Sequence, residues 1–186
     1  MTISKIQQDF VLGFDIPALP GMAEADIQTP CLIIDLDQFE FNLKRMADIL
    51  APYDVTLRTH AKMHKSVDVA RQQHEIGGAS GICCQKVSEA EVFARAGIAD
   101  ILVTNQVCDP LKITRLAGIA ATGCQLSVCV DDLANIAALS AEAVKQNTQI
   151  RCLVELECGA GRCGVSHPDE VTALADDILR RLSNLL

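Results

Sequence analysis

Residues 58–66 read RTHAKMHKS and place Arg58, His60, Lys62, His64 and Lys65 within one short run. A lysine among cations is disfavoured as an ammonium. Like charges and partial burial lower its pKa and free the amine to attack a carbonyl. The chemistry on offer is therefore Schiff-base formation at Lys62, in a positive field that would also draw an anionic, phosphate-bearing partner. The same residues also suit a solvated basic patch, the ordinary fate of such a run. Strand parity favours the first reading. With Val55 and Leu57 on one face, Arg58 and His60 take the other, and Lys62 follows the strand's carboxyl end. Parallel α/β folds place their chemistry at that end.

A second candidate is ECGAGRCG, residues 157–164. Gly159, Gly161 and Gly164 allow backbone conformations closed to other residues and close approach by a ligand. Arg162 adds a fixed cation with a planar hydrogen-bonding fork. In the run before it, Arg151, Leu153, Glu155 and Glu157 share one face, so buried carboxylates there would need partners. An unliganded strand-to-helix turn accounts for the glycines equally well. It is not a Walker loop, because no GK[ST] follows.

These candidates sit in a repeating rhythm. The expected strands are CLIID (31–35), VTLRT (55–59), GICC (81–84), ILVTN (101–105), LSVCV (126–130) and IRCLVEL (150–156). Helices are expected between them. Asp37 with Glu40 would cap the first, whose stripe is Phe39, Leu43, Met46 and Leu50. Ser88 with Glu91 repeats that capping spacing, and Gly97 supplies a stop. Leu133, Ile136, Ala137 and Val144 mark another helix, and Val171, Leu174, Ile178 and Leu182 a last one from Pro168. Strand-helix alternation predicts a parallel sheet covered by helices, either doubly wound or a (β/α)8 barrel. No dinucleotide fingerprint follows the first expected strand. Residues 1–28 read as an N-terminal arm around PALPGM, and residues 29–186 as about six βα units. Six strands leave a barrel unclosed, so the chain is expected to be the front portion of a longer polypeptide.

Composition narrows the function classes. A net charge of −8 and a pI near 4.9 argue against nucleic acid as a partner, and there is no Trp and one Tyr for base stacking. No run is apolar enough to cross a membrane, and the start has no signal-peptide core, so a cytoplasmic protein is expected. The nine cysteines form no CxxC pair and are expected to be reduced, mostly buried thiols.

Taken together, RTHAKMHKS, CCQKVSEAE and VELECGAGRCGV resemble the D-threonine aldolase and D-serine dehydratase-like family of pyridoxal-phosphate (PLP) enzymes. The resemblance implies an alanine-racemase-type (β/α)8 barrel whose later strands and β domain lie beyond this chain. It assigns Lys62 as the cofactor-bearing lysine, Gln85 as a cofactor contact and Arg162 as the arginine near the phenolic oxygen. His60 and His64 align with motif histidines of unassigned role. Glu157 stands where relatives often carry Asp. The resemblance also implies a divalent metal (Mg, Mn or Co) held by residues outside this segment, and a homo-oligomer. The implied activity is Cα–Cβ cleavage of a D-3-hydroxy amino acid such as 3-hydroxy-D-aspartate. Dehydration, racemisation or PLP binding without turnover are the alternatives.

Overall fold

The computed structural model describes residues 10–181, 184 and 185. Leu182 of the expected last stripe, and residues 1–9 of the expected arm, lie outside them. The chain forms two compact units, one ending at Phe41 and the other starting at Asn42. In the first, Leu12 and Ile16 bridge around a turn at Gly13, and a 3-10 turn spans Glu24–Asp26.

Helix α1 (Leu36–Leu50) begins in the first unit and continues into the second. Its cap is Asp35 rather than the expected Asp37: Asp35 Oδ1 accepts from Gln38 N at 2.9 Å. The second unit then alternates β1 (Arg58–His60), α2 (Val67–Glu75), β2 (Gly81–Cys84), α3 (Val87–Arg95), β3 (Asp100–Val103) and α4 (Pro110–Ala121). It closes with β4 (Gln125–Val130), α5 (Leu133–Lys145), β5 (Arg151–Val154) and α6 (Pro168–Arg180). All neighbouring strands are parallel, in the order β1-β2-β3-β4-β5. Each helix returns the chain to the adjacent strand and the order never reverses. That is the winding of a barrel wall rather than of a doubly wound sheet.

The expected first strand, 31–35, is not a strand. Leu32 is fully exposed, Ile33 and Ile34 are more than half exposed, and the segment has no ladder partner among the described residues. An apolar β-branched run supplies propensity, but a strand exists only where a neighbour completes its hydrogen bonds. The sheet therefore has five strands among the described residues, not six.

Ile82, Ile101, Val103, Leu126, Val128 and Val130 on the sheet's outer face meet Phe93, Leu116, Ile136 and Leu139 from the helices. Each such side chain contributes about 1.5–3 kcal/mol by leaving water. Helix starts are fixed by local acceptors: Ser66 for α2, Asp109 ahead of Pro110 for α4, Asp132 for α5 and Glu170 for α6. The cap of α3 is Glu89, whose Oε2 accepts from Gln85 N and Lys86 N, not the expected Ser88–Glu91 pair. Glu91 instead holds Arg115 of α4. The expected stop at Gly97 is present, with φ +89°. On α5, Leu133 and Val144 face out, and the buried stripe is Asn135, Ile136, Leu139 and Ala143.

Candidate active site

The sequence cluster at 58–65 is taken apart by the fold. Arg58 opens β1, at the amino end of the sheet. Its Nε and Nη2 donate to Asp100 Oδ1 and Oδ2 at 2.8 and 2.9 Å. The pair reaches across β2 because Gly81, registered with Arg58 and lying against Asp100, has no side chain. Bonding to Asp100 raises the Arg58 pKa, and the pair belongs to the foundation of the sheet, not to its functional end.

The rest of the run lies at the carboxyl end. Ala61 N still donates to Cys83 O, and Lys65 N closes an i→i+4 turn on Ala61 O with φ +52° at Lys65. Lys65 pairs with Glu89 at 3.2 Å. Burial pushes Glu89 up, but the Gln85 amide, Lys65 and the Lys86 amide outweigh it and hold the carboxyl below its usual range. Lys62 is exposed on this turn and has no ion-pair partner among the described residues. His64 accepts from Ser66 N through Nδ1 at 3.0 Å and meets the Phe93 ring edge-on. Burial lowers its pKa against the pull of the Gln73 side chain and the Ser66 backbone.

His60 is the most connected of the group. Its Nδ1 accepts from Lys62 N at 3.3 Å, and Nε2 lies 3.2 Å from Thr104 Oγ1. Burial, and then the nearby Lys62 charge, lower the His60 pKa. The expected field of five cations is therefore absent. Arg58 and Lys65 are neutralised by carboxylates, and both imidazoles are pushed toward the neutral form. Lys62 remains as the exposed amine of the run with no ion-pair partner among the described residues, since Lys65, also exposed, is paired with Glu89.

Around the carboxyl rim the first residues past the strands stitch the sheet together. Asn105 Nδ2 donates to Gln85 O at 2.8 Å, and Gln106 Nε2 donates to Glu155 Oε2 at 2.7 Å across β4. Asp131 Oδ2 accepts from Gly164 N at 2.9 Å. Glu155 Oε1 also accepts from Cys163 Sγ at 3.2 Å and stands 3.9 Å from Arg162 Nη2. A cleft of about 290 Å³ opens beside Gln85, lined by Lys86, Asn105, Gln106, Lys112 and Arg115. A larger hollow of about 410 Å³, lined by Ala143, Val144, Asn147, Thr148, Gln149 and Asn184, has no titratable side chain in its lining.

The glycine loop 157–164 does something other than wait for a ligand. Its amides converge on the chain's own Glu157, whose carboxylate accepts from Gly159 N and, at 2.9 Å, from Arg162 N. The amides of Gly161, Arg162 and Gly159 hold the Glu157 pKa at about 2. A nest of backbone N–H groups binds an anion, and here the anion is intramolecular. Gly164, at φ +97°, lies against Glu155 O and Glu157 N, where a Cβ would sit under 3.0 Å from both.

Lys62, Gln85 and Arg162 thus all lie on the carboxyl rim, after β1, β2 and β5, and no hydrogen bond joins their side chains to one another. An exposed amine, an amide and a guanidinium on that rim fit an anionic aldehyde. Among the described residues no group of three His, Cys, Asp or Glu comes together as a metal site. Thr104, Gln106 and Asp131 were not singled out from sequence. The available signal was position, because each stands just past a strand end. All nine cysteines are free, but only Cys84 is buried and Cys108 and Cys158 are exposed. The expectation of mostly buried thiols fails because Cys83 and Cys129 stand on the face of the sheet away from the helices.

The model for the alanine racemase N-terminal domain matches residues 34–185. A 3-hydroxy-D-aspartate aldolase of Paracoccus denitrificans is 55% identical over 166 residues, which cover 89% of this chain and 43% of that protein. The crystal structure of D-threonine aldolase from Filomicrobium marinum superposes with a TM-score of 0.85 at 43% identity, covering 88% of this chain and 44% of that one. D-threo-3-hydroxyaspartate dehydratase from Delftia sp. HT23 gives 0.78 at 31% identity, over 86% and 42%. The chain spans a little under half the length of these relatives. With its rim lysine, singly wound parallel sheet and match over residues 34–185, the chain belongs to the alanine racemase N-terminal domain family and has its α/β fold.

Proposed function

We propose that residues 29–186 are part of the cofactor-binding barrel of a PLP-dependent lyase. Its reaction would be cleavage of the Cα–Cβ bond of a D-3-hydroxy amino acid, with 3-hydroxy-D-aspartate giving glycine and glyoxylate. The observation that carries this reading is the Lys62 amine, exposed on the carboxyl rim beside a neutralised His60, in a chain 55% identical to a 3-hydroxy-D-aspartate aldolase. PLP, when bound, supplies a ring that takes up the electrons released at Cα.

Lys62 carries the cofactor aldehyde. Gln85, whose main chain is pinned by Asn105 and Glu89, offers its side-chain amide to the cofactor. Arg162 presents a guanidinium to the ring oxygen, and Glu155 is the carboxylate that restrains it. The neutral imidazole of His60 keeps a second positive charge away from the Lys62 amine. The described residues do not fit a metal site, so none of these roles uses one. A divalent metal and the homo-oligomer implied by the resemblance belong to the same proposal. A reducing cytoplasm suits nine free thiols. No helix among the described residues is long and apolar enough to cross a membrane.

Product analysis tests the proposal. The protein, with PLP and a divalent metal, is given 3-hydroxy-D-aspartate. Glyoxylate with glycine supports the aldolase. Oxaloacetate with ammonia assigns a dehydratase, the activity named for the Delftia relative. Binding of PLP with neither product, in a chain of the relatives' full length, assigns a cofactor carrier without turnover.

A further inference from the structure

One hydroxyl links three strands at the rim. Thr104 Oγ1 lies 3.1 Å from Cys84 O at the end of β2 and 3.2 Å from His60 Nε2 at the end of β1, and Lys62 N lies 3.3 Å from His60 Nδ1. The Lys62 N–H can only donate, so His60 Nδ1 accepts; the Thr104 hydroxyl donates to Cys84 O, which also takes Thr104 N at 2.9 Å, and the hydroxyl oxygen faces Nε2 as an acceptor. The ring then carries its proton on Nε2. Its Nδ1 keeps a lone pair for the Lys62 N–H, a donor that cannot change its role. The opposite tautomer would set N–H against N–H at Lys62. The order of donors therefore runs one way, from Lys62 N through His60 and Thr104 to the Cys84 carbonyl.

We propose that Thr104 is a positioning residue for Lys62: it holds His60 as the neutral Nε2–H tautomer, and His60 fixes the backbone from which the Lys62 amine projects. The role deepens the reading of Lys62 as the cofactor-bearing lysine and rests on it, whereas the relay itself stands on geometry alone. The relay is neutral at every link. The charges that face the ring are Lys62 on its own turn and Glu89 from α3, with the Cys83 carbonyl beside them. In acid, protonation of Nδ1 removes the acceptor for Lys62 N–H and frees the turn.

The test compares the wild-type protein with Thr104→Val and Thr104→Ser. Long-range 1H–15N spectra of the histidine rings report the His60 tautomer, with His60→Gln assigning the signal. The second readout is the rate at which PLP and borohydride label Lys62, followed against pH. The expected wild-type ring is Nε2–H. Thr104→Val mixes the tautomers and slows labelling roughly three- to tenfold, the rate equivalent of one neutral hydrogen bond. Thr104→Ser restores both. A wild-type ring protonated on Nδ1 overturns the proposal without any variant. So does a Thr104→Val protein with the wild-type tautomer and rate, or a Thr104→Ser protein that behaves like Thr104→Val, because packing of the methyl group would then be what matters. Absence of selective labelling at Lys62 in the wild type would instead remove the cofactor reading. The spectra need no cofactor and still decide the relay.

Discussion

Replacing Gly81 with Ala should be costly, at a position where the same change would ordinarily help. Gly→Ala at an unstrained site stabilises by about 0.4–1 kcal/mol through the unfolded chain. Here the added Cβ would lie 2.8 Å from both Asp100 O and Asp100 Oδ1. The carbonyl cannot withdraw without opening the β2–β3 ladder, and the carboxylate cannot withdraw without leaving Arg58, which it holds by two hydrogen bonds. Overpacking costs about 1–3 kcal/mol. Weakening a charge-assisted pair adds about 1 kcal/mol, discounted because Arg58 is 33% exposed. The sum is a destabilisation of roughly 3 kcal/mol, which for a chain of this size lowers Tm by about 6–12 °C. Urea unfolding followed by far-UV circular dichroism measures the first quantity and a thermal scan the second. Lys62 labelling well below the transition should be unchanged, because the pair stands at the amino end of the sheet. A loss under about 0.5 kcal/mol, or any gain, would refute the claim that the missing side chain of Gly81 makes the Arg58–Asp100 bridge.

Three further outcomes follow from the same geometry. Glu157→Gln should loosen the loop 157–164, read as faster amide exchange at Gly159, Gly161 and Arg162, because a neutral amide fills the nest less well than a carboxylate. The Glu157 pKa is depressed to about 2, so its contribution is complete above the unfolded value near 4.3 and is lost as pH falls toward 2. His60 and His64 work in a higher window. Their folded pKa values lie below the unfolded value near 6.5, so stability is complete above it and falls as pH drops through 6.5 toward the folded values; a urea midpoint series across that window should show it. With a thiol reagent, Cys108 and Cys158 should react in the folded protein, while Cys84, pushed up by burial to about 12, should react only on unfolding.

Much of the fold could be read from the sequence, because strands such as GICC and LSVCV carry their own apolar signal and their spacing carries the βα rhythm. The failures share a cause. CLIID has the composition of a strand but no partner among the described residues, and pairing is a property of two segments. Ser88 and Glu91 have the capping spacing, but Glu89 reaches the free amides first. Leu133 and Val144 have helical spacing, yet burial on α5 follows Asn135, Leu139 and Ala143 because the neighbouring sheet decides which stripe is covered. The site divides in the same way. The position of Lys62 just past a strand end was legible from parity. The neutralisation of its neighbours was not, since Asp100 lies 42 residues from Arg58 and Thr104 lies 44 from His60. Glu155 and Glu157 announced themselves as carboxylates in need of partners, without saying that Gln106, Cys163 and the loop amides would supply them.

The most direct test of the central claim is to mix the protein with PLP, reduce with borohydride, digest it and locate the modified lysine by mass spectrometry. Selective labelling at Lys62, abolished by Lys62→Ala and leaving Lys65 and Lys86 unmodified, is the predicted result. Labelling spread over the surface lysines with no preference for Lys62 would contradict it.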